Sequence, residues 1–160
     1  MRTTSDNLIE PTIALLAPVP LDLLEEAAIW KPGGEIAFGS RAGMVLAELE
    51  HHRAGHRVHA YIYASHDPAG PRPPRATWIA EYVGLEEADG RGLHPDEATF
   101  RSPIARHDGI DYWLVFWHIV DLRRLTEVEQ VQIARIRGYG KRTPFSKNFE
   151  PEGPLLIEPI

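Results

Sequence analysis

Residues 58–65, Val58-His59-Ala60-Tyr61-Ile62-Tyr63-Ala64-Ser65, decide the fold because their smaller apolar side chains recur at every second position. This period is typical of a strand, in which successive side chains point to opposite faces of a sheet. The smaller apolar residues then face a core, and Tyr61, Tyr63 and Ser65 occupy the other face. The same alternation returns in residues 77–83 and 112–120. We therefore expect a sheet built from the middle of the chain.

The segments on either side of this sheet combine helical spacing with short apolar runs. Apolar residues recur at helical spacing in residues 21–30 and 42–49, and Ser40 is placed to cap the second of these helices. Thr126-Glu127-Val128-Glu129 has the spacing of a capping box and predicts a third helix that continues to Ile136. Further strands are predicted at residues 12–17, 35–39 and 154–158.

These elements predict an α+β fold, a small curled and mostly antiparallel sheet or pseudo-barrel with inserted helices. A doubly wound parallel sheet needs regular alternation of strands and helices, which residues 56–120 do not supply. We expect a single domain over residues 1–160, with residues 1–10 as a loose N-terminal segment.

The composition excludes several classes of protein. The 160 residues include no cysteine, so disulfide scaffolds, zinc–thiolate sites and thiol nucleophiles are ruled out. No apolar run reaches the length of a membrane-spanning helix, and the first residues show no signal-peptide core, so a cytoplasmic protein without a membrane partner is expected. No glycine-rich nucleotide loop is present, and the eight histidines lack an evident ligand spacing. We expect neither a metal nor a cofactor.

Positive charge is concentrated in one segment of an acidic chain. The formal net charge is −6, but residues 130–149 contain five basic residues and no acidic one. Aromatic residues lie between these cations at Tyr139, Phe145 and Phe149. Cationic groups follow a phosphate backbone and flat rings stack on exposed bases, so this pattern favours nucleic acid over an ordinary solvated loop. The basic residues are Arg135, Arg137, Lys141, Arg142 and Lys147.

A series of short motifs, in a fixed order, resembles one superfamily. Tyr61-Ile62-Tyr63-Ala64-Ser65-His66, a proline-rich loop and Ile79-Ala80-Glu81-Tyr82-Val83 resemble the central hairpin of PUA-like domains, nearest to the EVE and ASCH types. His94-Pro95-Asp96 and the strand from Phe116 to Leu125 are similar to the segments that follow in EVE domains. Pro144-Phe145-Ser146 falls where such domains carry a polar turn that faces a base. The resemblance covers about residues 10–158.

The resemblance implies a pseudo-barrel whose cleft holds single-stranded RNA or DNA, or a modified nucleobase. The residues of this chain fit that use. Tyr63 and Trp78 offer stacking faces, although core packing is the alternative for Trp78. We expect Tyr63 and Ser65 to face an accessible hollow rimmed by positive groups. The other candidate residues are Ser40, Arg41, His66, Arg137, Lys141, Arg142, Phe145, Ser146 and Lys147.

Two other functions fit the same sequence. Some ASCH-type relatives are small hydrolases that act on acylated nucleosides or RNA, and here Lys31, Ser40 and Glu81 would supply the base, the nucleophile and the proton carrier. A protein-binding adaptor is the third reading, and its only support is the acidic segment 84–97. The sequence does not indicate an oligomeric state.

Overall fold

The computed structural model describes residues 12–107 and 112–160, and within these two ranges it contains eight strands and three α-helices. The helices are α1 (Leu21–Trp30), α2 (Gly43–Arg53) and α3 (Glu97–Phe100). Short 3₁₀ turns occur at Ala105–His107 and Ile133–Arg135. The strands are β1 (Ala14–Pro20), β2 (Ile36–Ser40), β3 (Val58–Ser65), β4 (Arg75–Ala76), β5 (Trp78–Glu87), β6 (Val115–Arg124), β7 (Val131–Gln132) and β8 (Leu155–Ile157).

Six of the described strands form one curled sheet, a mixed half-barrel in the order β2-β6-β5-β3-β1-β8. Its neighbours are antiparallel except β1 and β3, which run parallel. The expected α+β class and the mostly antiparallel curled sheet are confirmed. The two short strands β4 and β7 pair with each other beside this sheet.

The period-two pattern of β3 separates two cores, one on each face of the sheet. Its small apolar residues lie in the main core with α1 and α2. Tyr61 and Tyr63 point the other way and pack against a smaller core, which the chain from β7 to β8 covers. Its fully buried members are Ala14, Leu16, Ala76, Ile133, Ile136 and Ile157.

The helix expected after Thr126 is wrong. Only half of the capping box forms. The Thr126 amide and hydroxyl both donate to Glu129 Oε1 over 3.0 Å, but the Glu129 amide donates to the Thr126 carbonyl and not to its hydroxyl. The chain then leaves the helical path, pairs as β7 with β4, and buries Ile133 and Ile136 in the smaller core. Burial of each isoleucine contributes about 1.5–3 kcal/mol, whereas helix propensities differ by only tenths of a kcal/mol per residue, so tertiary packing decides the conformation.

The predicted helix cap at Ser40 and the predicted loose N-terminal segment have different outcomes. Ser40, the predicted cap, is the last residue of β2 and lies two residues before Ala42, which is the N-cap of α2. The N-terminal segment 1–10 lies outside the described residues. Within the described part of the chain, no helix is long and apolar enough to cross a membrane.

Candidate functional site

An open hollow of about 970 Å³ lies at the end of β3. Tyr63, Ser65 and His66 line one side of it, and residues 148–155 line the other. Tyr63 and Ser65 face the hollow because they alternate along β3 with residues that face the main core. The hollow has the size of pockets that hold small organic ligands.

Tyr63 is held in the hollow by a carboxylate. Its hydroxyl donates to Glu150 Oε1 over 2.6 Å, and Arg72 Nη1 lies 3.5 Å from the other oxygen of Glu150. Burial raises the pKa of the Tyr63 phenol, and its hydrogen bond to Glu150 raises it further. The phenol therefore stays protonated at neutral pH and acts as a hydrogen-bond donor.

The rim of this hollow differs from the expected ring of positive groups. Its lining includes Glu150 and Glu152 and no lysine or arginine among the described residues. A second hollow of about 410 Å³ shares the wall formed by residues 152–154, and Ser40 and Arg41 lie on its other side. The two groups of predicted residues therefore face opposite sides of one short segment.

The five basic residues of segment 135–147 are all exposed. None of them lies within ion-pair distance of a carboxylate in the described ranges. Glu158, the acidic residue on the adjoining chain, accepts a hydrogen bond from the Gly140 amide instead, over 3.1 Å. The segment therefore presents a surface of uncompensated positive charge, which we name the basic face: Arg135, Arg137, Lys141, Arg142 and Lys147.

Six arginines elsewhere in the described ranges have a carboxylate partner. Arg57 pairs with Glu81 at 3.3 Å, and Arg123 with Glu129 at 3.0 Å. Further ion pairs join Arg53 to Glu50, Arg72 to Glu150, Arg101 to Glu97 and Arg124 to Glu25. Arg41, Arg75, Arg91 and Arg106 also have no ion pair with a described residue, but they are separated along the chain, whereas the basic face concentrates five unpaired cations in one segment.

Backbone hydrogen bonds and two aromatic rings fix the basic face on the sheet. The Phe145 amide donates to the Ile136 carbonyl over 3.0 Å, and the Tyr139 amide donates to the Leu156 carbonyl of β8 over 2.9 Å. The rings of Phe145 and Phe149 stack, with centroids 4.9 Å apart, and pack against the smaller core. Phe149 also lines the hollow beside Tyr63, so the basic face and this hollow adjoin through one stacked pair.

Three predicted binding residues have other surroundings. Trp78 is 3% exposed, and the Arg124 guanidinium lies 4.6 Å from its ring centroid. The interpretation of Trp78 as a stacking face is therefore wrong, since its register opposite Ile62 turns it into the main core. Ser40 is buried, and its hydroxyl accepts from the Ala42 amide over 2.9 Å. Arg41 donates to the Tyr112 carbonyl and lies over the Tyr112 ring.

Ser146, also predicted, is exposed between the two phenylalanines. Its carbonyl accepts from the Phe149 amide over 3.1 Å, in a turn that carries Lys147 outward. Ser146 therefore belongs to the turn between the basic face and the hollow.

The alternative catalytic set is not assembled. The Lys31 ammonium donates to the carbonyls of Glu35 and Thr99, and Glu81 pairs with Arg57. Ser40 lies opposite Val115 of β6, whereas Glu81 lies opposite Val120. Five residues along a strand span about 16 Å, so the hydroxyl and the carboxylate cannot act on one substrate atom.

The acidic segment 84–97 is internally bonded. The Asp89 carboxylate accepts from the amides of Arg91 and Leu93, and these hydrogen bonds lower the pKa of Asp89. Glu97 accepts from the His94 amide over 2.7 Å and pairs with Arg101. These carboxylates stabilise the loop by bonding within it, so they give little support to the hypothesis of a protein-binding adaptor.

A buried pair of histidines, His94 and His118, was not predicted from the sequence. His94 and His118 face each other with their Nε2 atoms 2.9 Å apart, and His118 Nδ1 lies 2.8 Å from Glu35 Oε2. Burial lowers the pKa of His94, and the neighbouring His118 lowers it further. Glu86 lies beside this pair. The only signal in the sequence was the polar residue within the apolar strand at 118, because its partners Glu35 and His94 come from two loops and Glu86 comes from β5.

Comparisons of the chain with protein-family models, with curated proteins and with solved structures find no match. Any functional conclusion therefore depends on the chemistry of these residues.

Proposed function

We propose that this protein binds single-stranded nucleic acid, with phosphates along the basic face and a base in the hollow beside Tyr63. One observation carries the proposal: five cations within the single segment 135–147 are exposed and have no carboxylate within ion-pair distance, while six arginines elsewhere in the described ranges do. A cation that is already paired gains little from a phosphate. An unpaired one gains the attraction and releases the counterions of the nucleic acid.

The hollow suits a base better than a phosphate. Glu150 and Glu152 repel an anion, but a carboxylate accepts hydrogen bonds from the amino group of a base edge. Tyr63 and Phe149 offer aromatic surface, and Ser65 and His66 offer hydrogen-bonding groups. A base reaches such a hollow only when it is unstacked, which favours a single strand or an extruded nucleobase over a regular duplex.

We propose in addition that the half-barrel is of the PUA-like type. The support is the order of the motifs along the chain together with the curled, mostly antiparallel sheet. In this interpretation the base-facing turn at Pro144-Phe145-Ser146 connects the basic face to the hollow. A modified nucleobase is then the ligand class to test beside unmodified strands.

The direct test compares two variants that lose the same charge. K141Q/R142Q/K147Q removes three cations of the basic face, and R57Q/R91Q/R123Q removes three exposed arginines elsewhere. Fluorescence anisotropy with short labelled RNA and DNA strands should show weaker binding of all sequences by the first variant and little change in the second. Surface charges of this kind contribute about 0–1 kcal/mol to stability, so both variants should fold.

If both variants lost the same affinity for nucleic acid, the effect would come from net charge alone, and this result would contradict a local interface. Wild-type affinity in the basic-face variant would overturn the proposal. Circular dichroism of both variants shows whether a loss of binding is a loss of fold.

A further inference from the structure

The buried histidine pair lies towards the other end of the sheet from the basic face, because His118 is on β6 beside the edge strand β2 and the basic face is bonded to the opposite edge strand β8. His94 is 2% exposed and His118 is 6% exposed. The ring of Phe100 lies 5.3 Å from the His94 ring and 4.8 Å from the His118 ring, and Phe116 contacts the His94 ring at 5.1 Å. Two imidazoles are thus held among aromatic rings with their Nε2 atoms 2.9 Å apart.

A carboxylate completes this position from the solvent side. Glu86 of β5 has Oε2 at 3.7 Å from His94 Nε2, and one ligand atom from each of Glu86, His94 and His118 lies within 4.8 Å of the others. The Glu86 side chain is 40% exposed, so an ion can reach the histidines from this side. Two imidazoles and one carboxylate form a ligand set of the kind that binds zinc with one position open.

The surroundings of His118 are those of a metal ligand. Its Nδ1 lies 2.8 Å from Glu35 Oε2, so the ring donates its Nδ1–H to this carboxylate and leaves the Nε2 lone pair free to coordinate. Metal-binding histidines usually donate their second nitrogen in this way, which orients the ring and raises its basicity. Glu35 and Glu86 together also offset the charge of a divalent ion.

The ion-free arrangement is fully bonded, so metal binding requires a rearrangement. The Asp96 amide donates to His94 Nδ1 over 2.8 Å, so His94 carries its proton on Nε2 and donates it to His118 Nε2. Coordination through Nε2 moves this proton to Nδ1, where it faces the Asp96 amide, so both hydrogen bonds are lost and the Asp96 amide must turn away, a cost of about 10–100-fold in affinity. Zinc ligands at about 2.0–2.1 Å in tetrahedral geometry stand about 3.4 Å apart, so the rings open by a few tenths of an ångström.

We propose that His94 Nε2, His118 Nε2 and the Glu86 carboxylate form a binding site for one divalent transition-metal ion of the zinc class, oriented by Glu35. This site replaces the sequence-based expectation of no metal. It is independent of the proposed nucleic-acid interface, because it shares no residue with the basic face or the Tyr63 hollow.

The test uses the full chain with Co²⁺ as a spectroscopic probe and Zn²⁺ in calorimetric titration. The wild type should bind one ion of Co²⁺ per chain with the visible absorption of low-coordinate cobalt, and Zn²⁺ should displace it. E86Q should abolish or strongly weaken binding without unfolding the protein, since Glu86 is at the surface. E35Q should lower Zn²⁺ affinity by about 10–100-fold.

The exposed histidines provide the matched control. His51 and His52 lie on the surface with ring centroids 5.5 Å apart and can bind metal weakly. H51Q/H52Q should leave the stoichiometry, the spectrum and the affinity unchanged. Loss of Co²⁺ binding in H51Q/H52Q, unchanged binding in E86Q, or no binding by the wild type would each overturn the proposal.

Discussion

Replacing Lys141, Arg142 and Lys147 by glutamine should change the salt dependence of nucleic-acid binding by a predictable amount. If each cation of the basic face contacts one phosphate, the wild type makes five contacts and the variant makes two. Each contact on a single strand contributes about −0.7 to the slope of log affinity against log salt concentration, so the slope should fall in magnitude from about −3.5 to about −1.4.

These slopes translate into a clear difference in affinity. Raising the salt from about 50 to about 200 mM should weaken wild-type binding by about 130-fold and the binding of K141Q/R142Q/K147Q by about 7-fold. Anisotropy titrations with one labelled strand over this salt range measure both slopes. A wild-type slope near zero, or equal slopes for the two proteins, would refute the count of phosphate contacts on the basic face.

Three further perturbations test other parts of the structure. Y63A should weaken binding of a single strand by about 1–3 kcal/mol, measured by anisotropy, while Y63F should retain most of the affinity because the stacking surface remains. Y82F removes the hydroxyl that donates to Glu50 Oε2 over 2.8 Å and should lower the free energy of unfolding in urea by about 1.5–3 kcal/mol. The hydrogen bond from Arg123 lowers the pKa of Glu129 to about 2, so the contribution of this carboxylate to stability is complete above the ordinary carboxyl pKa and is lost as the pH falls toward 2. NMR titration of the Glu129 side chain should show this low pKa in the wild type and a higher pKa in R123Q, still below the ordinary value because the two hydrogen bonds from Thr126 remain.

The strands of the sheet could be predicted where local pattern and tertiary environment agree. In β3 the alternation alone fixes which side chains enter the main core, and Tyr63 and Ser65 lie on the other face as that alternation requires. In β5 both faces are apolar enough to be core, so the pattern did not decide whether Trp78 is buried or faces a ligand. The register with β3 places it opposite Ile62, on the buried face.

The segment after Thr126 shows why local signals fail when a second core competes. Glu129 accepts from the Thr126 amide as a capping box requires, but Ile133 and Ile136 gain more from burial against the sheet than from helical hydrogen bonds. The position of that smaller core depends on the return of β8 to the edge of β1, which nothing within residues 126–136 encodes.

The histidine pair was beyond sequence reasoning for a related physical cause. Its ligand atoms come from β5, from the loop before α3 and from β6, and the pairing of β5 with β6 contains two irregularities of register. A shift of one residue in that pairing would turn His118 to the opposite face. Spacing along the chain therefore could not bring Glu86, His94 and His118 together.

The most direct test of the nucleic-acid interface is an amide correlation spectrum of ¹⁵N-labelled protein titrated with a short single-stranded RNA. The proposed interface predicts shifts that saturate together in residues 137–147 and in residues 63–66, with α3, which lines neither hollow, unaffected. Shifts confined to α3, or no saturable shifts at all, would contradict the interface.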